Sequence, residues 1–268
     1  MTQPLPPLRV ILIRHGQTDH NKAGIIQGQT DIPLNDEGRK QARECGSKIR
    51  SVLSGSARSV PPGSSSNGAD RPTPGGDSGW NASSPFSGPI SAVYTSDLKR
   101  CVETTEILLE ASGLDTKPVR TPLLRERFMG ELENRPAAEG RQRCREENRH
   151  WDSFGESNTH MVQRLSKQWD TIVSRGLAEQ QGTVLVVTHG GCITRFTNYL
   201  VNEVGEPFAL GEHVTEATLR SPQNTSFTVF DVDRNTFQGT LQVFADVGHL
   251  DGVEKRVFNA DESVPGRW

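Results

Sequence analysis

Apolar residues in this chain fall into short dense blocks, separated by longer stretches in which they recur every three or four positions. Leu8-Arg9-Val10-Ile11-Leu12-Ile13 is one block, Ile90-Ser91-Ala92-Val93-Tyr94 a second, and Val184-Leu185-Val186-Val187-Thr188 a third. Blocks this short and this apolar predict strands buried on both faces. A polar, glycine-bearing loop covers 14–34, and Asn35 or Asp36 can cap a helix that runs to about Leu53. After the second block, Ser96 or Asp97 can cap a helix that carries Leu98, Val102, Thr105 and Leu109 roughly on one stripe. A short strand is expected at 117–120, and residues 121–159 read as charged and irregular. Met161, Leu165, Trp169 and Ile172 stand at helical spacing and predict a helix over 160–177. A helix from about Gly191 to Val204 follows the third block, and 226–232 and 239–247 read as a pair of late strands. This alternation predicts an α/β fold, a three-layer α/β/α sandwich around a mostly parallel sheet.

One segment breaks the pattern. Between 54 and 89, 23 of 36 residues are Ser, Gly or Pro. Such a composition buries no core and predicts a flexible insert. The helix–strand alternation resumes directly after it, so the expectation is one domain over 1–268, interrupted by a disordered insert at about 54–89. The insert also accounts for a hydrophobic content of only 33%.

Charge and cysteines then remove several function classes. The net charge is −3 and no long basic block occurs, which argues against nucleic acid as a partner. Cys45, Cys101, Cys144 and Cys192 are far apart, without a C-x-x-C pair, so neither a zinc ribbon nor a disulfide framework is indicated. Free thiols fit a reducing compartment. The proline-rich start lacks the apolar centre of a signal peptide, and no apolar stretch has membrane-spanning length. Asn81-Ala82-Ser83 and Asn224-Thr225-Ser226 match glycosylation sequons and are read as chance matches. The expectation is a soluble, cytoplasmic protein with no membrane partner.

The chemistry concentrates where two strand-like blocks end. The first runs into Arg14-His15-Gly16, the third into His189-Gly190-Gly191. Ligands of open α/β sheets bind at the C-terminal ends of the strands. A histidine with an adjacent arginine, facing a second histidine, suits a phosphoryl group.

Five stretches, in order, carry a resemblance. They are Arg14-His15-Gly16-Gln17-Thr18-Asp19-His20-Asn21 (with Gln27-Gly28 and Pro33-Leu34-Asn35-Asp36-Glu37-Gly38 downstream), Tyr94-Thr95-Ser96-Asp97-Leu98-Lys99-Arg100, Leu124-Arg125-Glu126-Arg127-Phe128-Met129-Gly130, Gly155-Glu156-Ser157, and Val187-Thr188-His189-Gly190-Gly191. Together they resemble the histidine phosphatase superfamily, also called the phosphoglycerate mutase-like family, over about 8–247 without the insert. The resemblance implies a phosphoglycerate mutase-like fold.

The physical logic of the site follows. Arg14 and Arg100 supply two guanidinium forks matched to phosphate oxygens. His189, if protonated, adds a third positive donor. His15 attacks phosphorus with a neutral ring nitrogen to give a phosphohistidine, while its other nitrogen donates to a backbone carbonyl that the resemblance places at Gly16. Glu126 is the expected proton shuttle, first to the leaving oxygen and then from water. That role requires the incoming phosphate dianion to raise its pKa. Glu131 and Glu133 compete for the same role. The resemblance puts Asn21 on the phosphoryl group, Gln27 and Gly28 on the substrate beside it, and a backbone N–H at Gly190. No metal or other cofactor is expected, because arginines take the place of a magnesium clamp. Glu156 reads as a helix brace, the Arg141, Arg143, Arg145 and Arg149 cluster as a solvated helical face, and the other histidines as surface or core residues.

The expected function is a metal-independent phosphatase for small phosphorylated metabolites, close to the fructose-2,6-bisphosphatase-like and broad-specificity branches. The alternatives are a phosphoglycerate mutase, a phosphoprotein or phosphotyrosine phosphatase of the same superfamily, and a non-catalytic phosphate-binding scaffold. Many relatives have Glu where Gln17 stands, and Glu-Gly where this chain has Glu133-Asn134.

Overall fold

The computed structural model describes residues 5–54, 88–212, 214–215, 219 and 221–250. The insert expected at 54–89 lies almost wholly outside the described residues, as does the sequon at Asn81.

The first apolar block forms β1 (Leu8–Arg14), buried except at Arg9. Its side chains alternate between two cores: Leu8, Val10 and Leu12 face one, Ile11 and Ile13 the other. This two-sided burial is why the run is nearly continuously apolar. β2 (Ile90–Ser96) and β4 (Thr183–Thr188) complete the centre, with a short β3 (Val119–Thr121) at the edge. The described residues form one seven-stranded sheet in the order β3-β2-β4-β1-β6-β7-β5, where β5 is Ala209–Leu210, β6 Phe227–Val232 and β7 Gly239–Asp246. β6 runs antiparallel to both its neighbours, and the other pairings are parallel. The late pair expected at 226–232 and 239–247 is thus a hairpin, while β5 was not expected.

Helices cover both faces. α2 (Asp36–Leu53) and α3 (Lys99–Ser112) bury Cys45, Ile49, Cys101 and Leu108 against one core. α5 (Asn158–Ala178) and α6 (Gly190–Asn198) bury Met161, Leu165, Trp169, Ile193 and Phe196 against the other. Asn35 caps α2, its side chain accepting from Gly38 N. Ser157 caps α5 through His160 N, so that helix starts two residues before the expected 160. α6 stops at Asn198 and passes into a π-turn over Tyr199–Glu203, within the stretch expected as helix. α3 departs from expectation at its start. Its N-cap is Leu98, with no side-chain cap. The expected capping residue Asp97 instead takes both Nε and Nη2 of Arg125 at 2.7 Å.

The two segments without periodicity are the main revision. Within 14–34 a short α1 (Asp19–Ala23) forms, closed by a reciprocal Thr18–Asn21 capping box. Within 121–159 lie α4 (Ala137–Glu146) and three 3₁₀ turns, at Pro122–Leu124, Gly130–Leu132 and Trp151–Phe154. The two segments share a third core of Ile26, Met129, Leu132, Ala137, Trp151 and Phe154. Backbone bonds stitch them together: Ile26 N to Arg135 O, Asn134 N to Ile26 O, and Ala137 N to Gly24 O. Among the described residues no helix is long and apolar enough to cross a membrane.

Candidate active site

β1 and β4 are neighbours in register, Ile13 opposite Val187 and Arg14 opposite Thr188. His15 and His189 therefore leave the sheet side by side. The His15 N–H donates to Thr188 O at 2.9 Å, and the two ring centroids are 5.2 Å apart. β2 lies on the other side of β4 and feeds α3, whose second residue is Arg100. Three strand ends thus converge on one buried point, where Arg14, His15, Arg100, Glu126 and His189 are each at most 2% exposed.

Burial, then the positive charges of Arg100 and Arg14, hold the His15 imidazole well below its ordinary pKa; only its bond to Gly16 opposes this. His189 is lowered in the same way, by burial first and Arg100 second. Both rings are neutral in the free site. His15 Nδ1 lies 2.7 Å from the carbonyl of Gly16. A carbonyl only accepts, so the proton sits on Nδ1 and the Nε2 lone pair is left. His189 in the free site is not in the protonated state on which a third positive donor depends. Its Nδ1 accepts from Arg100 Nε at 3.2 Å, which puts the proton on Nε2, toward Ser96 Oγ at 3.0 Å. The fixed positive charge at this point rests on the two arginines.

Backbone carbonyls aim both guanidiniums. Arg14 Nη1 donates to Pro222 O at 2.7 Å. Arg100 Nη1 donates to Thr30 O at 2.9 Å and Nη2 to Gly28 O at 2.7 Å. Gly28, expected beside the substrate, here orients Arg100. Asn21 Oδ1 accepts from the Thr18 N–H, and its buried Nδ2 has no partner among the described residues. Gln27 Oε1 accepts from Thr18 Oγ1 at 2.8 Å. One buried threonine thus fixes both amide side chains.

Glu126 reaches the site against the start of α6. Its Oε1 accepts the Arg127 N–H at 2.8 Å and its Oε2 the Gly191 N–H at 2.9 Å. The N–H that meets this carboxylate is that of Gly191, and Gly190, whose N–H is expected on the substrate, is the residue that opens the helix. A Cβ at position 191 would stand 2.6 Å from Glu126 Oε1 and would push the carboxylate out of this position. The competing carboxylates are engaged elsewhere. Glu133 accepts from Gln29 N, Met129 N and Thr30 Oγ1, and Glu131 pairs with Arg143 at 66% side-chain exposure. Glu156 is the expected brace: it grips Arg164, which also donates to the carbonyls of Leu123, Arg125 and Glu126. In the arginine cluster, Arg143 and Arg149 both pair with Glu147, and Arg149 lies 3.8 Å over the Phe154 ring.

Asn134 explains one departure from the family pattern. Its φ is +64°, a left-handed conformation that glycine adopts freely and asparagine tolerates. Sequence reasoning missed Ser96 and Cys101, which flank His189, and Thr104 and Asn224, which bond the backbone of Gly16 and His15. Asn224 carries no local signal of this role, and its burial agrees with reading the sequon there as a chance match. In the structure it is buried and its amide donates to His15 O. Among the described residues no group of three or more His, Cys, Asp or Glu is placed to hold a metal ion.

The site is thus a buried pair of histidines between two arginines, at the carboxyl ends of the parallel strands of an α/β sheet. The model of histidine phosphatase superfamily branch 1 matches residues 10–57 and 84–243, and the chain belongs to that superfamily. It is 30% identical over 247 residues to the Schizosaccharomyces pombe protein named "Probable phosphatase C1687.21", covering 92% of this chain and 97% of that protein. Identity to the Saccharomyces cerevisiae "Broad-specificity phosphatase YOR283W" is 27%, over 91% of this chain and 87% of that protein. The fold is similar to that of a Bacillus anthracis phosphoglycerate mutase, with a TM-score of 0.65 and 17% identity over 96% of this chain and 98% of the other.

Proposed function

We propose that the protein is a metal-independent phosphatase that hydrolyses phosphate monoesters of small metabolites through a phosphohistidine on His15. The observation that carries this reading is the state of His15: a neutral ring, its Nδ1 proton held on Gly16 O, packed beside Arg14 and Arg100.

The two guanidiniums hold the phosphoryl oxygens, with the Asn21 Nδ2 donor beside them, and stabilise the charge of the transition state. Nε2 of His15 forms the N–P bond as the ester P–O bond breaks. Glu126 gives its proton to the departing oxygen. In the second half Glu126 takes a proton from water, the water oxygen forms a P–O bond, and the N–P bond breaks. Inorganic phosphate leaves and the site is restored. A bound phosphate dianion supplies negative charge next to His189 and favours its protonation, so the third cation of the sequence reading arises only with substrate.

The Saccharomyces cerevisiae relative, named a broad-specificity phosphatase, supports a phosphatase that is not dedicated to one substrate. The family model's match is interrupted at 58–83, inside the Ser/Gly/Pro-rich stretch, which supports one domain with an insert.

The test is phosphate release in chelator from a panel of sugar bisphosphates, phosphoglycerates, nucleotides, a phosphotyrosine peptide and nitrophenyl phosphate, with acid-labile label traced to His15. A hit lost in His15→Ala is expected. Interconversion of phosphoglycerates without net release would make the protein a mutase. Neither release nor label from any compound would leave a binding role.

A further inference from the structure

The peptide bond that joins His15 to Gly16 is held from both ends. Asn224 Nδ2 donates to the His15 carbonyl at 2.8 Å. On the other side the Gly16 N–H donates to Thr104 Oγ1 at 3.0 Å. The Thr104 hydroxyl in turn donates to the carbonyl of Arg100 at 2.6 Å, so its oxygen lone pairs face Gly16. His15, Thr104 and Asn224 are all buried. A planar peptide with its C=O and its N–H both fixed cannot swing as a unit. The next carbonyl along the chain is that of Gly16, the acceptor of His15 Nδ1–H.

The two holding residues come from different parts of the fold. Thr104 lies on α3, one turn beyond Arg100. Asn224 lies just before β6, in a segment that also takes the backbone of Arg14: Thr225 N donates to Arg14 O, and Arg14 N to Ser226 O. Thr225 adopts φ +55° there, an outlier for a β-branched residue. Such strain persists only where the surroundings over-determine the backbone.

We propose that Asn224 and Thr104 are positioning residues that clamp the His15–Gly16 peptide and so keep the His15 proton on Nδ1. The tautomer of a histidine is set by the hydrogen bond its other nitrogen makes. Here that bond is only as fixed as the Gly16 carbonyl. Neither residue has to touch substrate; both act through the peptide plane before the one that carries the Gly16 carbonyl, and that second plane is tied by the Gln17 N–H to Gln41 Oε1 at 3.0 Å. The catalytic value of the clamp rests on His15 being the nucleophile.

The experiment reads the two parts separately. Nitrogen-15 NMR of the histidine rings in the free protein reports the tautomer, and rapid-quench labelling with nitrophenyl phosphate reports phosphohistidine formation. Wild type and Thr104→Ser, which keeps the hydroxyl, are expected to show Nδ1–H. Thr104→Val and Asn224→Asp, each close to isosteric, are expected to show mixed tautomers. Their phosphohistidine formation should slow by roughly ten- to a hundredfold, with affinity for inorganic phosphate little changed. Folded variants that keep the Nδ1–H tautomer would overturn the clamp. So would a loss of rate that follows a matching loss of phosphate affinity. Should Asn224→Asp fail to fold, the Thr104→Val and Thr104→Ser pair decides. A wild-type ring locked as Nδ1–H that never becomes labelled would overturn the nucleophile reading and leave the clamp standing.

Discussion

The carboxyl end of the sheet and the cap built from 14–34 and 121–159 are held together by different means. At the sheet end, strand register does the placing. His15 and His189 stand together because β1 and β4 pair in parallel, and both strands are packed between two layers of helices. In the cap no long element does the placing. A small third core and a few backbone bonds across more than a hundred residues of sequence hold it. Glu126 sits on the seam. Its carboxylate is fixed by Gly191, while its carbonyl takes Gln29 and Arg164. On the proposed mechanism, phosphoryl chemistry belongs to the sheet end, and the site's outer wall and proton transfer to the cap.

The comparison breaks first at the nucleophile. His15→Ala is expected to lower kcat by about 10⁴-fold or more, since the covalent step has no substitute. Substantial activity in that variant, measured with the best substrate of the panel, would remove the mechanism. Glu126→Gln tests the seam. It should slow an alkyl phosphate by roughly 10²- to 10⁴-fold but nitrophenyl phosphate far less, because nitrophenolate departs without a proton. Equal losses on both substrates would deny Glu126 the role of acid.

The cap is tested by Trp151→Ala, which removes the largest ring of the third core. A loss of about 3–5 kcal/mol in stability is expected from the cavity. Where the variant stays folded, KM should rise more than the rate of His15 labelling falls. The reverse pattern would mean that the cap shapes the chemistry itself.

A pH series sharpens the contrast. His15 and His189 remain neutral in the folded protein, whereas in the unfolded chain each takes a proton near its ordinary pKa of about 6.5. The unfolded state therefore binds more protons as pH falls below that value, and stability present above it is lost. Linkage gives about 1.4 kcal/mol per pH unit for each histidine. Urea midpoints should fall on going from about pH 7.5 to about pH 5.5, and the fall should be smaller in His15→Gln. Trp151→Ala should leave the slope unchanged, because it removes neither buried histidine. The smallest effect is expected at Asn134. Asn134→Ala should cost about 1 kcal/mol by forcing a side chain without a local hydrogen bond into a left-handed φ, and Asn134→Gly should be near neutral. Thermal melting of the pair checks this.

The same division decided what the sequence made legible. The dense apolar runs announced β1 and β4, and the residues that end them, Arg14, His15 and His189, could be named at once. Arg100 followed from a short motif at the end of β2. Glu126 was legible only through resemblance to a family, since nothing local marks it off from Glu131 and Glu133. α4 went unseen because among its ten residues only Ala137 and Gly140 are buried, which leaves no apolar stripe. Asn224 was read as a stray sequon because its meaning lies in a bond to a residue 209 positions away. Contacts made by periodic side chains are written in the local pattern, and contacts made by backbone carbonyls are not.

Where the Ser/Gly/Pro-rich stretch joins the fold has a consequence for how this protein can vary. α2 begins where Gly38 closes on Gly16, and its 18 residues carry the chain about 27 Å away before Ser54. The chain is next described at Gly88 and Pro89, whose carbonyls meet Thr183 at the start of β4. Both attachment points therefore lie at the foot of the sheet, while the reacting groups lie at its head. The stretch is thus anchored at the opposite end of β1 and β4 from His15 and His189. A reporter spliced between those two anchors is expected to leave the rate of His15 labelling unchanged, and a changed rate would mean that the stretch reaches the site.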